Sequence, residues 1–168
     1  MARNAVQFQK GLSMAEFLRL YGTEGQCHAA LVAMRWPGGF VCPKCASTTY
    51  GYCEPKRLFQ CAACRLQTSV RSGTIFHKSH TPLTKWFLAM HLMTSAKNDI
   101  AALELARQLD VKWDTAWLIK QKLMEVMKQC NSIYKPAGHV QVDDAYQGGE
   151  KAGKRGRGAA NKTPFRNA

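Results

Sequence analysis

Four cysteines constrain this chain more than any other feature. Cys42, Cys45, Cys61 and Cys64 form two C-x2-C pairs with fifteen residues between them. Two residues between cysteines let a tight turn aim both sulfurs at one point. The intervening stretch is long enough for a hairpin that carries the second pair back to complete a tetrahedron. The pattern predicts a four-thiolate, structural Zn²⁺ site. The competing reading is two disulfide-bonded or redox-active pairs, which predicts reversible disulfides and no bound metal.

The rest of the chain bears on that choice. The N-terminus, MARNAVQFQKGLSMAEF, has no secretory apolar core, and the longest apolar run, Trp86 to Met93, is broken by His91 and far too short to span a bilayer. The expectation is an intracellular, cytoplasmic protein without a membrane partner, in which seven cysteines argue for metal. Lys and Arg number 24 against 11 Asp and Glu. That excess points to a polyanion partner, nucleic acid first and an acidic membrane surface second, and charge alone does not choose between them.

Periodicity divides the 168 residues into four parts. Residues 1–38 read as a helical segment: Ser13 and Glu16 make a capping box before Phe17, Leu18 and Leu20, and Gly22 ends the run. Thr23 and Gln26 open a second box before Cys27, Ala30, Leu31 and Met34. Cys27 and His28 fall on this helix; the quartet already saturates a tetrahedral ion, so Cys27 is expected in the core. Trp36 is expected to pack this cap onto residues 39–72. There TTYGYC, RLFQC and QTSVR alternate as three short strands around a Glu54-Pro55-Lys56 turn, giving a zinc ribbon too small to fold without its metal.

Residues 73–135 return to helical spacing. Thr81 and Pro82 read as N-cap and first helical residue of an apolar helix through Leu83, Trp86, Phe87, Met90 and Leu92. A shorter helix, Ile100 to Leu109, and a longer one, from about Trp113 to Lys128, follow around a break at Asp110-Val111. The inward set of the longer helix is Ala116, Ile119, Leu123, Val126 and Met127. Two helices across a short break, the second bearing Lys112, Lys120 and Lys122, suggest a helix-turn-helix. Asp110 stands where that motif usually has glycine, and Asp tolerates the left-handed conformation needed there. The groove-facing, DNA-binding positions are then Lys112, Trp113, Thr115, Trp117, Leu118 and Gln121, with Lys120 as a further contact. The alternative is an ordinary helical hairpin with its tryptophans in the core.

In residues 136–168, HVQVDDAY alternates as a strand ending in two carboxylates. The tail from Gly148 carries six basic residues against Glu150 alone, a disordered basic arm when taken by itself. No P-loop, Rossmann fingerprint or nucleophile elbow is present. The fold class read from these parts is α+β, small and multi-module.

The runs RWPGGFVCPKC, SGTIFHKSHTPLTKWFLAMHL, VDDAYQGGE and KRGRGAANKTP, in that order, resemble a bacterial insertion-sequence transposase family. Its members carry an N-terminal zinc ribbon, a helix-turn-helix and an ISXO-type DDE domain of RNase H-like fold. The resemblance runs from about Phe8 onward. It implies zinc on Cys42, Cys45, Cys61 and Cys64, and DNA with terminal inverted repeats as partner, with a homo-oligomer or a full-length transposase as possible company. The family's V-D-E-x-Y-x-G-G motif falls on Val142 to Gly149. That gives Asp143 the place of the first catalytic carboxylate, and Asp144 replaces the usual Glu. Family chemistry uses two Mg²⁺ ions held by three carboxylates for phosphodiester hydrolysis and strand transfer. Beyond Asp144 this sequence offers only Glu150, so the family's second Asp and final Glu fall past residue 168. The resemblance implies a chain truncated within the DDE domain and catalytically incomplete by itself. It binds DNA as part of a transposase or, alternatively, regulates or inhibits transposition without enzymatic activity.

Overall fold

The computed structural model describes residues 11–96 and 99–133, together with the backbone of 145–147 and 163–165. Two compact units divide the chain, Met1–Lys128 and Gln129–Ala168. The first opens with α1 (Met14–Tyr21) and α2 (Glu24–Arg35). Ser13 caps α1 by accepting from the Glu16 N–H. The second cap is a full box, since the Thr23 side chain accepts from Gln26 N and the Gln26 side chain accepts from Thr23 N. Gly22 joins the two helices in right-handed conformation, and a Cβ there would lie 2.3 Å from the Leu18 carbonyl oxygen. Its glycine is a matter of space.

Strands β1 (Tyr50–Cys53), β2 (Leu58–Cys61) and β3 (Gln67–Ser69) form an antiparallel meander in that order. Register pairs Tyr52 with Phe59 and Phe59 with Thr68. This puts Phe59 at the centre of a small aromatic group, stacked on Phe40 with centroids 5.3 Å apart and planes 5° from parallel. Trp36 meets both rings edge-on at 4.9 Å. It therefore joins the helical cap to the ribbon, the role its position in the sequence predicts.

Helices α3 (Leu83–Ser95), α4 (Ala102–Leu109) and α5 (Trp113–Ile133) complete the helical part. One core unites it with the N-terminal helices: Phe17, Cys27 and Leu31 pack in the same cluster as Val70, Phe76, Trp86, Leu105 and Ile119. Residues from both sides of the ribbon thus close on each other in one core. Trp86 is 1% exposed, donates its indole N–H to Ser79 Oγ, and receives Phe76 edge-on at 5.2 Å. His91 stacks on Phe17 at 4.7 Å.

Several expectations shift in detail. Pro82 is the N-cap of α3, so the helix starts one residue later. The α4 helix begins at Ala102, and α5 runs to Ile133. Met127 is 44% exposed and leaves the inward set, where Ala116, Ile119 and Leu123 are buried and Val126 is half-buried. In the second unit β4 (Ala145–Gln147) pairs antiparallel with β5 (Thr163–Phe165). Part of the tail expected to be disordered is therefore a strand. Asp143, Asp144 and Glu150 lie outside the described residues.

The turn between α4 and α5 carries the strain. Asp110 has φ 49° and ψ 60°, its N–H reaches Arg107 O, and the Val111 N–H reaches Ala106 O. These bonds constitute a Schellman closure with Asp where glycine is usual. A left-handed L-residue costs about 1 kcal/mol, less for Asp than for most. Asp110→Gly is expected to stabilise the first unit by about 0.5–1 kcal/mol in urea unfolding, and Asp110→Val to destabilise it. A neutral or destabilising glycine would show that the Asp side chain itself holds the turn.

Candidate metal centre and nucleic-acid interface

The two cysteine knuckles are built alike. In each, the residue after the second cysteine is left-handed, Ala46 at φ 57° and Arg65 at φ 59°. Its N–H bonds the carbonyl of the first cysteine, Ala46 N to Cys42 O at 2.9 Å and Arg65 N to Cys61 O at 3.1 Å. The first cysteine's own N–H bonds forward, Cys42 to Ser47 O and Cys61 to Leu66 O, both at 3.0 Å. The curled turn then aims backbone N–H groups at sulfur. Those of Cys45 and Lys44 reach Cys42, and those of Cys64 and Ala63 reach Cys61.

The four sulfurs lie within 4.8 Å of one another. The nearest approaches, both 3.5 Å, cross between knuckles: Cys42 to Cys64 and Cys45 to Cys61. A Zn–S bond of 2.3 Å in tetrahedral geometry requires sulfurs about 3.8 Å apart, so the quartet is shaped for one Zn²⁺. All seven cysteines are unpaired, and the cross-knuckle approach is not that of a C-x2-C redox disulfide. The electrostatics also favour thiolate. N–H donation from Cys64, against burial, brings the Cys61 thiol down to about 6, and donation from Cys45 and Lys44 outweighs burial at Cys42 to lower it too. Cys45 moves the other way, to about 12: Ser47 N–H favours its thiolate, but the neighbouring sulfurs raise it more. An ion of charge +2 removes that competition by binding all four as thiolates.

Cys27 stands apart. It is fully buried, bonds the Tyr21 carbonyl at 3.2 Å, and burial with Glu24 nearby pushes its thiol up to about 11. It is an inert core thiol, as the sequence predicts. Cys53 is exposed, and among the described residues no group of His, Cys, Asp or Glu other than the quartet is placed for a metal.

The predicted reading positions separate into two sets. Lys112, Trp113, Trp117, Leu118 and Gln121 are exposed and Thr115 is half-buried, while Ala116 and Ile119 between them are buried. Trp113 and Trp117 stack at 6.4 Å and are 51% and 45% exposed, so neither belongs to the core. Lys120 does not join this face. Its Nζ bonds Asp99 Oδ2 at 2.6 Å and the Ile100 carbonyl at 2.7 Å, tying α5 to the segment that leads into α4. Helical spacing turns Lys120 toward that segment, a contact no local pattern announces. Lys122 is similarly committed, to Ile75 O and the Trp86 ring.

The arginines that fasten the ribbon also escaped the sequence. Arg35 donates to Ser69 O and Val70 O, and Arg71 to Ser79 O, Thr81 O and Glu24 Oε1. Their signal is positional, a cation beside the helix end or strand end it must hold, and only the tertiary arrangement reveals it.

Comparison with known proteins takes in α2 as well as most of the ribbon. Residues 22–67 match the family described as a transposase zinc-ribbon domain. Over 143 residues the chain is 26% identical to an uncharacterized protein in transposable element ISH50 of Halobacterium salinarum, aligning 83% of this chain with 46% of that protein. The chain spans about half the length of the curated relative it matches. No solved structure matches. Among the described residues no helix is long and apolar enough to cross a membrane. Over residues 22–67 the chain is thus similar to transposase zinc-ribbon domains, and the four cysteines are placed for structural zinc.

Two outcomes are expected. Elemental analysis of the wild type should find one zinc per chain, and Cys42→Ser with Cys45→Ser should eliminate it and melt the ribbon strands; a variant that keeps both refutes the ligand assignment. Lys120→Ala should lower unfolding stability by about 1 kcal/mol, because it strands the Ile100 carbonyl. Lys112→Ala should change stability by less than about 0.5 kcal/mol, and equal losses from the two would remove the distinction between them.

Proposed function

We propose that this chain is a DNA-binding part of a zinc-ribbon transposase and recognises the terminal inverted repeats of its element. The observation that carries the reading is the outward face of α5. A helix pair closed by a tight left-handed turn presents Lys112, Trp113, Trp117, Leu118 and Gln121 to solvent while burying Ala116, Ile119 and Leu123 behind them. Read as a helix-turn-helix, α5 lies in the major groove. Gln121 then suits adenine and the indole edges suit thymine methyl groups, with Lys112 on phosphate. The match of the ribbon to transposase zinc ribbons supports this reading, as does the basic excess of the whole chain. The setting is the cytoplasm, where the DNA is.

By resemblance, Asp143 is the first carboxylate of a DDE site that holds Mg²⁺. Two bound Mg²⁺ ions supply the activation of an attacking oxygen and the stabilisation of a leaving one. The acids beside Asp143 in sequence are Asp144 and Glu150, and a triad from separated positions is not assembled from these three neighbours. No cleavage step is therefore derived for this chain.

Fluorescence anisotropy with a duplex bearing the inverted repeat tests the binding. Affinity should fall steeply between 50 and 200 mM salt, and Gln121→Ala should lose about 1–3 kcal/mol of preference for the repeat over a scrambled duplex. Flat salt dependence, or equal affinity for both duplexes in the wild type, would sink the reading.

A further inference from the structure

Apart from the sulfur quartet and the α5 face, the first unit contains a small basic cleft where α2 meets the ribbon. Its volume is about 210 Å³, and its walls include His28 from α2, Lys56 and Arg57 from the β1–β2 turn, and Ser69 and Arg71 from the end of β3. Small-molecule sites run to about 300–1,000 Å³. This cleft suits a single compact anion better than a nucleoside.

Charge is unevenly committed around it. Glu24, the acid in the wall, is already satisfied: one carboxylate oxygen accepts from Arg71 at 2.7 Å and the other from Thr84 N at 3.2 Å. Arg71 is spent on that pair and on the Ser79 and Thr81 carbonyls. Lys56 and Arg57 are exposed and take part in none of the ion pairs found among the described residues. Two cations therefore face the cleft without a counterion. Glu54, on the same turn, is the other acid besides Glu24 whose charge acts on His28.

His28 supplies a neutral partner. Its Nε2 is buried and has no hydrogen-bond partner. Burial first, then the Arg57 charge, holds the imidazole below its ordinary pKa. A buried polar nitrogen ordinarily finds a partner, and an anion in the cleft provides one while balancing Lys56 and Arg57.

We infer that this cleft binds one backbone phosphate of DNA, with Lys56 and Arg57 supplying charge and His28 a hydrogen bond. The inference rests on the DNA-binding reading and adds to it a contact on the ribbon, remote in sequence from α5. A phosphodiester contact of this kind positions the duplex and carries no base sequence.

The test uses the zinc-loaded full chain. Lys56→Gln with Arg57→Asn keeps a residue that tolerates the left-handed backbone at position 57, where φ is 50°. Zinc content and thermal melting should be unchanged. The slope of log affinity against log salt should become shallower by about 1, and binding should weaken equally for repeat and scrambled duplexes. Arg19→Ala, on α1 and outside the cleft, should leave the slope alone. In wild-type protein, NMR of the imidazoles should show His28 shifting as duplex is added and the exposed His80 staying in place, a readout that needs no variant. An unchanged slope or an unmoved His28, in a wild type that binds duplex, overturns the cleft and leaves the DNA reading standing. A wild type that binds no duplex overturns both. Saturation of His28 by millimolar inorganic phosphate, with no response to duplex, assigns the cleft to a free anion and also overturns the proposal.

Discussion

The ribbon depends on its sulfur quartet because it has little else. Its own buried cluster is Phe40, Cys42, Phe59 and Cys61, so half of its core consists of the proposed ligands themselves. Two phenylalanines contribute about 1.5–3 kcal/mol each. Structural zinc supplies about 10–16 kcal/mol in small peptides, several times what the two rings contribute. The helical body needs no such support, since Trp86, Leu83, Leu105 and Ile119 give it an apolar centre of its own. Trp36 and the two arginines then transmit order from one to the other: a ribbon held by metal is docked through two ring contacts and a set of carbonyl hydrogen bonds.

The same dependence explains the unusual backbone. Ala46, Arg57, Arg65, Lys78 and Asp110 all have positive φ without being glycine. Each left-handed residue costs about 1 kcal/mol, a cost tolerated only where the surroundings determine the conformation. At Ala46 and Arg65 the determinant is the knuckle, whose N–H groups must converge on sulfur. At Asp110 it is the closure of α4 by Arg107 O and Ala106 O, reinforced where Lys85 Nζ bonds the Asp110 carbonyl at 2.7 Å. Three turns of similar conformation thus serve different ends, two to charge a metal site and one to set the angle of α5.

What could be read from the sequence was local. The quartet, both helix caps, the three strands and the inward positions Ala116, Ile119 and Leu123 each follow from spacing within a few residues. Asp110 is legible for the same reason, since only its immediate neighbours decide its conformation. What local spacing does not announce is long-range. Lys120 lies twenty residues from the carbonyl it bonds, and Arg71 reaches forty-seven residues to Glu24. Met127 fits the apolar period of α5, yet it stays 44% exposed, because periodicity specifies a face and not how far along the helix the neighbours extend. The cleft at His28 has no sequence signature at all, since it joins a helix to a turn whose lysine and arginine read as ordinary solvated charge.

Net charge alone overstates how much of this molecule is available to an anionic partner. Of the basic residues in the described helices and ribbon, Arg35, Arg71, Lys85, Lys120 and Lys122 donate to main-chain carbonyls. Their charges still contribute to the long-range field that steers a polyanion toward the surface, but their donors are committed to the fold. On the DNA-binding reading proposed above, close contact falls instead to exposed cations such as Lys112, just before α5, and Lys56 and Arg57 at the ribbon turn. Cations that act as staples give the fold a rigid frame from the same composition that would attract a polyanion. On the DNA-binding reading its salt response reports the uncommitted side chains, and substitutions among the staples should register in stability before they register in binding.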